Sequence, residues 1–156
     1  DALFLVAGFC APDPEALLDV NATCRAFAAS KERLAEADLQ GAAFCDAITA
    51  IFGHALPALA YPVAVGRAAA LEGLPLRLTV AAYLHAFAAN LVAAGTRLIP
   101  IGQTEGQRLV RALQPLCGGL AGRAVASTLD DLSATTFLAD IAAMQHETQY
   151  SRIFRT

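Results

Sequence analysis

The chain has 156 residues, of which 56 % are hydrophobic and only 16 % charged, with a net charge of −3 and a single lysine, Lys31. So apolar a composition excludes a disordered segment, and the lack of a Lys/Arg cluster excludes an electrostatic nucleic-acid binder. The length fits one domain, and a surface this poor in charge predicts apolar area left over for partners.

Alanine and leucine dominate, while β-branched runs and period-2 alternation are nearly absent. The spacing therefore predicts an all-α, single-domain bundle of about five or six helices. "ALFLVAGFC" reads like the middle of a buried helix, so the start at Asp1 is expected to lie inside a longer product. In "PDPEALLDVNATCRAFAAS", Asp13 is the expected N-cap, Pro14 the first helical residue and Glu15 a partner of the helix dipole, with an end near Ser30.

A second helix is expected near 31–54. It places Leu34, Phe44, Ile48, Ile51 and Phe52 toward the core, Glu32, Glu36, Gln40 and Asp46 outward, and stops at Gly53 before Pro57. A shorter helix spans Tyr61–Leu71. Then Leu76, Val80, Leu84, Phe87, Leu91 and Leu98 recur at near-heptad spacing on an alanine-coated helix. That segment is expected to be the central Ala/Leu-rich helix of the bundle. His85 and Asn90 within it argue for a buried helix rather than a membrane span.

After "IPIGQTEGQRLV", Thr104 and Gln107 fit a capping box for the next helix, with Pro115 expected to bend it and "CGGLAG" (117–122) to loosen it. A last helix is expected over 136–149, with Phe137, Ile141 and Met144 facing inward.

Little in the chain resembles catalytic machinery. The four cysteines, Cys10, Cys24, Cys45 and Cys117, are widely separated with no CxxC pair, which reads as reduced core thiols. "HETQY" lacks the second histidine of a zinc-protease helix, and Asp140 lies six positions before His146, too far round a helix for an easy shared face. A small metal-dependent hydrolase using His146 and Glu147 is kept as the alternative reading, together with a generic helical interaction module. No G-x-S-x-G elbow occurs, and neither "GQTEGQR" nor "CGGLAG" ends in the GK[ST] of a nucleotide loop. His54, just past a glycine helix end, and His85 read as structural.

The ending "QHETQYSRIFRT" (145–156) stands apart, with no alanine or leucine and with Tyr150, Arg152, Phe154 and Arg155 close together. Those residue types dominate binding hot spots. The bland alternative is a segment that folds back to cap its own domain.

"PIGQTEGQR" (100–108) together with "DIAAMQHETQYSRIFRT" (140–156) resembles the UreF family of urease accessory proteins, in motif order and in separation. The chain is similar to roughly the later two-thirds of a member, without the family's front segment. The resemblance implies a non-enzymatic, all-helical, usually dimeric cytoplasmic assembly factor with no cofactor. It also implies a complex with UreD (also called UreH) and the GTPase UreG that delivers nickel to apo-urease and possesses no nucleotide site in this subunit. Carried over, Gln103, Thr104, Gly106, Gln107 and Arg108 form one partner-binding surface. His146, Glu147, Tyr150, Ser151, Arg152, Phe154 and Arg155 form the other, expected to meet the UreD-type partner. Arg108 or Arg111 reaching into the GTPase as a charge-stabilising finger is a further, narrower expectation.

Overall fold

A computed structural model of the chain describes residues 1–150. Its helices are α1 (Ala2–Cys10), α2 (Pro14–Ala26), α3 (Lys31–Phe52), α4 (Tyr61–Leu71), α5 (Leu76–Leu98), α6 (Gln103–Val125) and α7 (Phe137–His146), with a 3₁₀ turn at Leu129–Asp131 between the last two. No strand occurs among the described residues, and the all-α reading holds.

Several boundaries follow from local chemistry. Asp13 accepts a hydrogen bond from the Ala16 backbone N–H at 2.8 Å and so caps α2, with Pro14 supplying a preset φ at the first position. Ser30 does not end α2 as expected. It caps α3 by accepting from Arg33 N–H, and α2 stops at Ala26. Gly53 closes α3 in the left-handed conformation, φ 77°, which a Cβ would disfavour.

The centre of the molecule is the pair α1 and α4, not α5. Helix α1 is apolar all round and feeds two cores. Phe4 packs with Leu17, Cys24, Cys45, Leu59 and Val63 on the α2/α3 side, while Leu5 and Val6 pack with Val80, Ala121 and Ala124 on the α5/α6 side. Leu5 and Val63 are both 0 % exposed, and each contributes about 1.5–3 kcal/mol by leaving water.

Glycine makes the central contact possible. A Cβ at Gly66 would lie 2.1 Å from the Leu5 carbonyl oxygen, and one at Gly8 would lie 2.8 Å from that of Val63, so two backbones touch where side chains would hold them apart. Polar ties join the outer elements: Arg25 forks onto Asp38 between α2 and α3, Asn21 accepts from Ala60 N–H ahead of α4, and Arg67 donates to the Ala11 carbonyl. His54 meets Glu72 at 2.6 Å, fastening the loop after α3 to the end of α4.

Helix α5 departs from its expected role. It is long and apolar enough to cross a membrane, with an 18-residue window of mean hydropathy 1.5, yet 6 % of that window is buried. Only Val80 is buried on it, and Phe87, Leu91 and Leu98 face outward. The expected inner face of α3 is half right: Leu34, Phe44 and Ile48 are half-buried, but Ile51 and Phe52 are exposed, and the close contact is made by Gly41 and Cys45. Alanine on every side lets either helix pack on more than one face: α3 makes its close contact through Gly41 and Cys45, and α5 packs through Leu76, Val80, Tyr83 and Leu84 while the rest of its stripe stays outside.

Helix α6 also corrects the sequence. It begins at an N-cap of Gly102 with no side-chain cap, two residues before Thr104, so the expected Thr104–Gln107 capping box does not form. The helix runs unbroken through Pro115 and "CGGLAG" to Val125, because Cys117, Ala121 and Ala124 are buried on one side and tertiary packing outweighs weak propensity. A capping box does occur, at Thr128 and Asp131.

All four cysteines are free; Cys10 is exposed, and Cys24, Cys45 and Cys117 are buried. Burial pushes the Cys24 thiol up to about 11 and raises that of Cys45 as well. Because the thiolate is the attacking species, a higher pKa and lost access both slow reaction. A maleimide at pH 8 is expected to modify Cys10 quickly and the other three only on unfolding, as counted by mass spectrometry of the native and denatured protein.

Candidate functional site

The stretch "GQTEGQR" forms the first two turns of α6 and splits between two environments. Gln103, Gly106 and Gln107 border a cleft of about 290 Å³ between α5 and α6, across from His85, Val92, Thr96 and Arg97. Gly106 is buried, and a Cβ there would sit 3.0 Å from Thr96 Cγ2 and 3.3 Å from Val92 Cγ1. Its missing side chain lets the start of α6 approach α5. Gln103 and Gln107 are exposed at the cleft rim.

Thr104 and Arg108 are exposed and do not line the cleft. Arg108 Nη1 donates to Glu105 Oε2 at 3.1 Å across one helical turn, with the arginine side chain 73 % exposed. Such a surface pair contributes little to stability, so Arg108 is held loosely and open to solvent. The cleft recruits His85, Thr96 and Arg97, which the sequence alone did not single out for a site. Their signal is the helical repeat 85–89–92–96 on α5 set against 103–106–107–110 on α6, readable only once the two helices are known to pair.

The second stretch lies on a different helix pair. Helix α7 ends at His146, three residues sooner than expected, and its end is held at the beginning of α3. His146 Nδ1 meets Glu32 Oε2 at 2.5 Å, and Glu147 Oε1 accepts from the Lys31 backbone N–H at 2.7 Å. Glu147 thereby satisfies one of the N–H groups left unpaired where α3 starts, and its charge suits the positive end of the helix dipole.

The expected inward face of α7 is overturned. Phe137 is 68 % exposed, and Ile141 and Met144 are about half exposed, because among the described residues α7 meets chiefly the start of α3, whose Lys31 and Arg33 are themselves exposed. Tyr150 is fully exposed. Ser151, Arg152, Phe154 and Arg155 lie outside the described residues.

Among the described residues there is no group of three or more His, Cys, Asp or Glu side chains that could hold a metal. His146 and Glu147, the pair required by the hydrolase alternative, both point at α3, and Asp140 instead lies beside Thr136 Oγ1, at 3.5 Å. The geometry therefore offers two polar features on an apolar body: a cleft at the α5/α6 junction, and the end of α7 anchored on α3 through His146 and Glu147, with Tyr150 exposed just beyond it.

A family model described as UreF matches residues 1–114, which include the α6 stretch. The urease accessory protein UreF of Ruegeria pomeroyi is 54 % identical over 156 residues, all of this chain and 72 % of that relative. The protein of the same name from Roseobacter denitrificans is 53 % identical, again across the whole chain and over 70 % of its own length. The one from Bradyrhizobium diazoefficiens is 42 % identical over 69 % of its length. All three alignments take in the whole chain, so both signature stretches fall within them. A matching model over most of the helical body, and relatives that stay similar to the last residue, mean that the chain belongs to the UreF family of urease accessory proteins.

Proposed function

We propose that this chain acts in urease maturation as a non-enzymatic scaffold, joining a UreD/UreH-type accessory protein and a UreG-type GTPase in the complex that inserts nickel into apo-urease. The observation that carries this reading is identity along the entire chain to proteins named urease accessory protein UreF. The division of surfaces supports it. Tyr150, fully exposed, opens a segment rich in arginine and aromatic residues, which suits capture by the UreD-type partner.

Gln103, Thr104, Gly106, Gln107 and Arg108 provide the second surface. The outward stripe of Phe87, Leu91 and Leu98 on α5 offers apolar area for assembly, as a homodimer or within the larger complex. The reading places the protein in the cytoplasm, in keeping with four free thiols, and assigns no part to nucleic acid or to a membrane. Whether the scaffold speeds or restrains the GTPase through Arg108 is a matter of rate: GTP hydrolysis by the UreG-type partner should change with Arg108→Ala if the arginine reaches the nucleotide, and equal rates would exclude the finger.

The test of the scaffold is removal of residues 148–156, which spares Glu147. Helical content is expected to be unchanged and the melting temperature to stay within about 2 °C of the parent, while co-purification with the UreD-type partner is lost. A truncated chain that still captures the partner would move the binding surface elsewhere.

A further inference from the structure

Two residues of the terminal motif face this chain rather than solvent. We propose that His146 and Glu147 are positioning residues: they clasp the end of α7 to the start of α3 and fix the position from which residues 148–150 continue, and the partner does not read them directly. The proposal rests on the reading of that segment as the partner-binding element.

The two contacts run in opposite directions. Glu147 of the terminal segment reaches the first backbone N–H of α3, at Lys31, while Glu32 of α3 reaches back to His146 in the last turn of α7. A carboxylate at the start of one helix and an imidazole at the end of another each sit at the favourable pole of the local dipole. Paired in this way they restrain both the distance and the rotation of α7 relative to α3.

Apolar burial does little of the holding. Leu138 is 84 % and Phe137 68 % exposed, and α7 has no buried residue. By contrast the His146 and Glu32 side chains are 31 % and 24 % exposed, the more sheltered part of the contact. Helix α7 is thus fastened by its polar end.

The clasp stops three residues before Tyr150, so the aromatic ring starts from an anchor no more than about 10 Å of chain away. A ring whose anchor is already fixed costs less ordering on docking than one whose anchor must first be placed. Mutating either clasp residue should therefore weaken partner capture without removing any atom that touches the partner.

The experiment uses the full chain and a purified UreD-type partner. In a Cys10→Ser background, Glu32→Cys and His146→Cys are combined, and affinity is measured before and after bridging the two thiols with a short bismaleimide. The open form is expected to bind roughly ten-fold more weakly than the Cys10→Ser parent, the scale of one hydrogen bond to a charged group, and the bridged form to regain most of that affinity. If bridging restores nothing while the melting temperature matches the parent, the partner reads His146 itself and the positioning role is overturned.

Amide exchange at Lys31 reports the clasp without any partner. It is expected to accelerate about ten-fold or more in Glu147→Ala, because the N–H then returns to water. An unchanged rate would mean that the clasp does not hold in solution, which also overturns the proposal. Should the 148–156 deletion still capture the partner, the failure would belong to the tail as binding element, and the amide would still decide the clasp.

Discussion

Gly66→Ala is expected to destabilise the fold by at least about 3 kcal/mol, at the upper end of what overpacking costs in a closed core. The added Cβ would stand 2.1 Å from the Leu5 carbonyl oxygen and 3.0 Å from the Phe9 nitrogen. Both are backbone atoms of α1, so no rotamer change can relieve the contact, and the two helices must separate. Separation uncovers Leu5 and Val63, which have no exposure in the folded chain.

For a chain of this length such a loss lowers the melting temperature by about 6–12 °C, measurable by circular dichroism. Gly119→Ala is the matched control, since no atom lies within 4 Å of a Cβ there and it sits on the exposed side of α6. It is expected to raise stability by up to about 1 kcal/mol, through helix propensity alone. Equal effects at the two positions would show that α1 and α4 do not touch at Gly66.

The second large effect is on binding. Tyr150→Ala and Arg152→Ala are each expected to weaken the complex with the UreD-type partner by about 2 kcal/mol, roughly thirty-fold in Kd, with no change in melting. Tyr150 is fully exposed, so its removal costs the isolated chain nothing, whereas in a complex a tyrosine joins a large apolar ring to a hydrogen-bonding hydroxyl. Arginine adds donors that suit a carboxylate fork. Affinity measured by titration calorimetry, with the melt as control, decides the matter. Parent-like affinity in both variants would take the segment out of the interface.

The two predictions sample opposite kinds of information. Tyr150 stands out in the sequence because its neighbours differ in composition from everything before them. Gly66 does not stand out, being one of 11 glycines in an alanine-rich chain. The same contrast runs through the helices. Asp13, Pro14, Gly53 and the Tyr61–Leu71 segment act through neighbours a few residues away, and each is where local chemistry puts it.

The facing of α3, α5 and α7 was not legible. Alanine is compatible with core and surface alike, so the large residues Ile51, Phe87 and Phe137 could be assigned inward by periodicity and still point to solvent. The site divides in the same way. "GQTEGQR" and "HETQY" are visible as unusual composition, but the cleft needs α5 beside α6, and the clasp joins His146 to a residue 114 positions earlier.

What the sequence determined by itself is therefore the all-α class, most helix limits, and the family through its two polar stretches. Those properties depend on backbone propensity, on caps that act within one turn, and on residue identity. Tertiary structure alone decided that α1 and α4 are central, that α5 lies at the surface, and that His146 and Glu147 turn inward onto α3. The physical reason is that an alanine-rich helix can be approached on several sides, so its orientation is settled by where glycines let backbones meet and where distant charges find a helix end.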